Sequence, residues 1–195
     1  VHQGDLDGVK GLYHINAVDC VTQWQVVASV QAISEAHLLS VIEEMLAQFP
    51  FEILGFHADN GSEYVNHKVA RLLEKLRIEF TRSRPRHSND NGLAETKNGA
   101  VVRKEFGYEH IHRRHAARFD TYCREYLNPF LNFHRPCLFA TELADPKKPG
   151  RIKRVYRPRD AMTPLDKLAS LPNAASFLRP GVTLLELQQL ARALS

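Results

Sequence analysis

The order in which two hydrophobic periodicities alternate along this chain constrains its fold more than any other feature. Residues 12–18 alternate and carry β-branched and aromatic side chains, and residues 24–30 repeat the pattern after a short polar connection at Thr22 and Gln23. The period then changes to that of a helix. Ser34 is a suitable N-cap, Leu38, Val41, Ile42, Met45, Leu46 and Phe49 form one stripe, and Pro50 stops it. Residues 51–58 are short and mostly apolar, as a buried strand is. Ser62 opens a second helix with Val65, Val69, Leu72, Leu73 and Leu76 on its inner face, and residues 78–81 read as the next strand. Strands, helix, strand, helix, strand, helix is the signature of a mixed α/β fold with helices packed on a central sheet.

Turn chemistry fills the gaps. Asp5, Asp7, Gly8 and Gly11 predict a hairpin before the first long strand. Residues 84–92, Arg-Pro-Arg-His-Ser-Asn-Asp-Asn-Gly, form a cationic loop, followed by helices over 93–106 and 116–133. Beyond Pro136 regular structure thins out: residues 146–164 read as an extended linker and 183–194 as a short amphipathic helix. With 195 residues the chain can bury one good core plus an appendage. The division expected is a core over 1–135 and a basic linker with a helical extension over 136–195.

Charge is unevenly spread. Residues 1–80 hold 5 Lys and Arg against 11 Asp and Glu, a net of −6, whereas residues 81–195 hold 21 against 11, a net of +10. Residues 147–159 contain seven cations and no acid. Such a segment can neutralise phosphates and release their counterions, although a solvated linker has the same composition. Apolar runs stay well short of the roughly 18–20 residues that span a bilayer, and the polar start does not resemble a signal peptide. Cys20, Cys123 and Cys137 are scattered and form no Cys-x-x-Cys pair, so neither zinc nor a disulfide framework is expected. The compartment expected is a reducing cytosol, with no membrane partner.

Two acids stand out by position. Asp59 follows a buried strand, where α/β sheets collect ligand sites; Asp-Asn-Gly-Ser is also a good turn. Glu95 lies in the first turn of a helix, where the helix dipole alone would favour it. Each acid has an ordinary explanation in isolation. Their combination is more specific, because 35 residues separate them and Glu95 sits in Asn-Gly-Leu-Ala-Glu-Thr-Lys-Asn.

The Asp-Asn-Gly-Ser-Glu-Tyr segment, this spacing and the downstream helix closely resemble the second and third acids of retroviral-type integrases and of bacterial insertion-element transposases. Asn132-Phe133-His134-Arg135-Pro136 is similar to the Asn-x-His-Arg-Pro segment that follows the core in bacterial members. The resemblance covers about residues 1–135. It implies a ribonuclease H-like mixed sheet flanked by helices, with a basic, partly extended C-terminal extension. It also implies three carboxylates holding two Mg²⁺ or Mn²⁺ ions, with Asp59 and Glu95 as catalytic metal ligands. Two divalent ions about 4 Å apart activate a nucleophile and neutralise the leaving oxygen of a phosphodiester, and hard cations prefer carboxylate oxygens. Asn98, one turn after Glu95, becomes a site-flanking residue that supports DNA or the acid, although an exposed polar residue there has the same spacing. Many family members carry Lys seven positions after the Glu; here that position is Val102. Arg84, Arg86 and Lys97 remain to grip phosphates near the loop, and Lys153 and Arg154 in the basic tail.

The family's first acid belongs on the first strand, before the turn that holds Asp5 and Asp7. The preferred place is a few residues upstream of Val1, which leaves the chain with two of three ligands and incomplete on its own; Asp19 is the alternative. The activity expected is DNA transposition or integration, by metal-dependent cleavage and strand transfer, on transposon ends and target DNA in a homo-oligomer. The rival is a catalytically inert DNA-binding or assembly module from a truncated transposase.

Overall fold

The computed structural model describes residues 1–58, 67–82, 92–144 and 150–194. A short hairpin, β1 (Asp5–Leu6) and β2 (Val9–Lys10), turns through Asp7 and Gly8, both at positive φ (52° and 80°), as a tight two-residue turn requires. Asp5 accepts the Gly8 N–H at 2.8 Å and fixes the turn.

Next come β3 (Tyr13–Val18) and β4 (Gln25–Val30), antiparallel with Asn16 opposite Val27 and Val18 opposite Gln25. Every residue of β4 is buried, because helices cover both faces of this ribbon. Val26, Ala28 and Val30 join Leu38, Ile42, Met45, Val69 and Leu73 from α1 (Glu35–Ala47) and α2 (His67–Lys75). On the other face Val27 packs with Val101, Val102, Cys123, Leu127 and Leu131. Those residues come from α3 (Gly92–Lys97), which continues through a wider π-type turn (Asn98–Arg103) into α4 (Lys104–Phe106), and from α5 (Ala116–Tyr122) with its π-type continuations. The helices read from sequence over 93–106 and 116–133 are therefore present.

β5 (Gly55–Ala58) and β6 (Glu79–Arg82) pair in parallel, with Ala58 opposite Arg82, joined through α2 as a parallel pair must be by a crossover. β5 is shorter than the strand expected over 51–58: Phe51 instead bridges Leu178. Among the described residues the strands form four separate two-stranded sheets, not the single mixed sheet expected.

The C-terminal third departs most from expectation. Residues 146–164 were expected to be an extended linker, but β8 (Ile152–Met162) pairs antiparallel with β7 (Cys137–Ala144) in a long ribbon. Density of Arg and Lys hid a strand whose backbone is satisfied by its partner. Nor is the terminal segment an appendage. α6 (Pro164–Ala169), capped reciprocally by Thr163 and Asp166, sends Leu165 and Leu168 into the same core as Trp24 and Leu38. Arg179 donates to the Leu46 carbonyl at 2.6 Å and the Phe51 carbonyl at 3.3 Å, fastening the segment to the end of α1. α7 (Leu184–Ala193), capped by Thr183 and Glu186, then packs Leu184, Leu187 and Ala191 against that core.

Candidate functional site

Asp59, Arg84 and Arg86 lie outside the described residues; the segments that hold them have fixed beginnings. Ala58 and Arg82 are paired at the carboxyl ends of the parallel strands β5 and β6, so the chain leaves both strands side by side. Asp59 is the next residue after β5. The segment with Arg84 and Arg86 follows β6 and leads into α3. Carboxyl ends of adjacent parallel strands form the crevice where α/β folds place ligands.

Glu95 sits in the first turn of α3 and is exposed. It makes no hydrogen bond or ion pair among the described residues, so its oxygens are open to an incoming ligand. What holds its helix in place lies on the inner side. Asn16, on the β3 face that looks toward α3, donates to Asn98 Oδ1 at 3.0 Å and to the Ala94 carbonyl at 3.4 Å. Asn16 Oδ1 in turn accepts from Gln25 Nε2 at 2.9 Å. Asn98, one turn after Glu95, turns its side chain inward to β3.

The same amide chemistry continues on the far edge of β4. Asn132 Oδ1 accepts the Gln25 N–H at 2.8 Å and its Nδ2 donates to the Gln25 carbonyl at 2.8 Å. Asn128 does the same for Val27, at 2.8 and 3.0 Å, and Asp120 accepts the Ser29 N–H at 2.9 Å. Three side chains on one helical run thus complete an edge strand. Burial raises the Asp120 pKa, and the Ser29 N–H bond works against that rise.

His14, stacked on Phe106 with ring centroids 4.2 Å apart, contacts Ser29 Oγ at 2.9 Å. Burial first, then nearby positive charge that includes Arg103, push its pKa down to about 3, so it is neutral in the fold. Burial likewise pushes the Cys123 thiol up to about 12. Both are packing groups.

Three further expectations meet the structure here. Lys97 is 7% exposed and its ammonium donates to Cys137 Sγ at 3.0 Å; it does not present its charge to a phosphate from the surface, because its direction on α3 is inward. Asp19 Oδ2 accepts from Val21 N–H (3.2 Å), Thr22 N–H (2.6 Å) and Thr22 Oγ1 (2.7 Å), which closes the turn between β3 and β4. That is a complete local role for the alternative third acid. Lys153 is exposed on β8, whereas Arg154 meets Glu142 across the ribbon at 3.2 Å. Among the described residues no three His, Cys, Asp or Glu side chains cluster as a metal site, and no helix is long and apolar enough to cross a membrane.

Asn16 and Gln25 are the residues that sequence reading passed over. The available signal was a pair of polar residues in strands otherwise rich in Val, Ile and Ala.

Comparison with known proteins points to the family that the sequence resembles. Residues 3–88 match the model of the integrase core domain family. A curated relative, the "Uncharacterized protein y4rM" of Sinorhizobium fredii, is 32% identical over 107 residues, which is 55% of this chain and 31% of that protein. The chain thus spans about a third of the length of that relative. The fold resembles a chain in the structure of the simian T-cell lymphotropic virus intasome in complex with PP2A regulatory subunit B56 gamma. The TM-score is 0.52 at 16% identity, over 70% of this chain and 47% of that one. Residues 3–88 are therefore similar to an integrase core domain, and the fold is α/β in class.

Proposed function

We propose that the chain carries most of the active site of a DNA transposase or integrase, a polynucleotidyl transferase in which Asp59 and Glu95 hold divalent metal. The observation that carries this is Glu95: an exposed carboxylate that makes no hydrogen bond or ion pair among the described residues, on a helix reached from the strand end beside which Asp59 begins its segment. Carboxylate oxygens are the donors that Mg²⁺ and Mn²⁺ prefer, so the two acids fit the ions an integrase core uses. The ions, when bound, supply nucleophile activation and leaving-group stabilisation. The chain's own part is to converge its acids, hold the Glu95 helix through Asn16, and grip DNA phosphates through Arg84 and Arg86 and, on the ribbon, Lys153. Lys97 is left out of that set by its burial. Transposon ends and target DNA are the substrates, and a homo-oligomer is the assembly.

The backbone supports a place for the third acid. Val1 and His14 exchange two hydrogen bonds, each 2.8 Å, His2 bridges Tyr13, and the Gln3 N–H donates to the Leu12 carbonyl at 2.7 Å. In that antiparallel register the strand position two residues before Val1 stands opposite Asn16. Opposed residues share a face, and this face is the one turned to Asn98 and α3. We propose the third carboxylate there, on an upstream extension of the segment 1–3 that pairs with β3. Asp19, spent on its turn, is the weaker candidate.

The test is strand transfer by the full-length protein with Mg²⁺ or Mn²⁺. Activity should vanish in Asp59→Asn, in Glu95→Gln and in the Asn variant of an Asp two residues before Val1. Activity that survives these changes refutes the assignment. Salt-sensitive DNA binding with no metal-dependent cleavage at all would favour the inert-module reading.

A further inference from the structure

The amide of Asn16 occupies a position that no part of the metal-site motif predicts. It is half-buried in the middle of β3 and reaches across to α3, where it donates to the two acceptors that bracket Glu95 in sequence, the Ala94 carbonyl (3.4 Å) and Asn98 Oδ1 (3.0 Å). Its own oxygen is engaged by Gln25 Nε2 at 2.9 Å. That bond fixes which end of the amide faces the helix, since only the NH₂ group can then donate to Ala94 and Asn98. Gln25 is itself 1% exposed and held through its backbone by Asn132. A relay of amides thus runs from the Asn-x-His-Arg-Pro segment, through both strands of the ribbon, to the turn that bears Glu95.

The point of attachment matters. Asn98 is the first residue of the π-type turn that follows α3, and single π-type turns inside α-helices occur frequently at functional sites. Ala94 and Asn98 lie one turn apart, and Glu95 sits beside both on the helix surface. Holding them from β3 sets the helix rotation. A carboxylate about 6 Å from a helix axis moves by about 1 Å for each 10° of rotation, given a Cα radius of about 2.3 Å. A displacement of that size suffices to cost about 100-fold in a catalytic site.

We propose that Asn16 is a positioning residue for the metal site, aiming Glu95 by clamping Ala94 and Asn98, with Gln25 orienting the clamp. The inference rests on the reading of Glu95 as a metal ligand. It makes Asn16 a determinant of metal affinity, although its amide touches no ion.

The experiment is Mn²⁺ binding to the full-length protein, read from the resonance of free Mn²⁺, together with Tm and strand transfer. Asn16→Leu and Asn16→Ala should weaken Mn²⁺ binding at least tenfold and lower kcat with little change in KM for DNA, while Tm moves by only a few degrees. A lowered Tm with unchanged Mn²⁺ affinity in the folded variants would show ordinary packing and overturn the proposal. In the unmutated protein the side-chain NH₂ signals of Asn16 should shift when Mg²⁺ is added; signals that stay put overturn it even if both variants fail to fold. Glu95→Gln separates the two levels. If it weakens Mn²⁺ binding and the Asn16 variants do not, only the clamp is wrong; if Glu95→Gln leaves binding intact, the metal-site reading falls and the clamp with it.

Discussion

Asn132 pairs with Gln25 as a neighbouring strand would, accepting its N–H and donating to its carbonyl, both at 2.8 Å. Asn132 is 2% exposed and also donates to the Asn128 carbonyl at 2.9 Å. Replacing it by Leu leaves a buried N–H and a buried carbonyl on β4 without partners, at a cost of about 2–4 kcal/mol. Urea denaturation should show this loss, together with a greater tendency to aggregate through the uncovered edge. A change below 0.5 kcal/mol would mean that water replaces the amide there.

The buried imidazole of His14 makes stability pH-dependent. Its folded pKa of about 3 lies below the ordinary 6.5, so above pH 6.5 both folded and unfolded chains hold it neutral and its contribution is complete. Below pH 6.5 the unfolded chain takes up a proton that the folded chain refuses. Stability should therefore fall by about 1.4 kcal/mol per pH unit from about pH 6 towards the carboxylate range. Denaturation at pH 7.5, 6 and 5 checks it, and a His14→Phe variant that still folds should lose most of that slope.

Lys97 and Lys153 should part company in DNA binding. With its ammonium against Cys137, Lys97 should be replaceable by Met with little effect on the salt dependence of DNA affinity. Lys153 is exposed on a ribbon segment rich in cations. Lys153→Ala should reduce the slope of log affinity against log salt by about 1. The same measurement on both variants decides which lysine meets phosphate.

The C-terminal segment should prove inseparable from the core. Leu168 is fully buried with Trp24, Ile42 and Leu46, so Leu168→Ala should cost about 2–5 kcal/mol. A single unfolding transition shifted as a whole is the expected result; two transitions would restore the picture of a separate extension.

Much of this was legible in the chain. The alternation over 12–18 and 24–30, the stripe from Leu38 to Phe49 and the short helix over 183–194 depend on neighbours in sequence, and the structure has them where the pattern put them. Asp59 and Glu95 stand out in the sequence because their residue types, spacing and context together carry a chemistry. Other features were hidden because distant partners decide them. Val155 and Tyr156 read as linker until Thr141 and Ala140 pair with them, and Lys97 reads as a surface cation until Cys137 lies against it. Asn16 looked like a polar interruption in a strand, and only the arrival of Ala94 and Asn98 from 78 and 82 residues away gives it a task.

The central claim is that Asp59 and Glu95, far apart in sequence, hold the same metal site, and a double-mutant cycle on Mn²⁺ affinity tests it most directly. Asp59→Asn and Glu95→Gln should each weaken binding at least tenfold, and the double variant should bind about as weakly as the worse single one, because a site that has lost one acid has little left to lose. Independent, additive effects, or affinity unchanged by either substitution, would contradict the account.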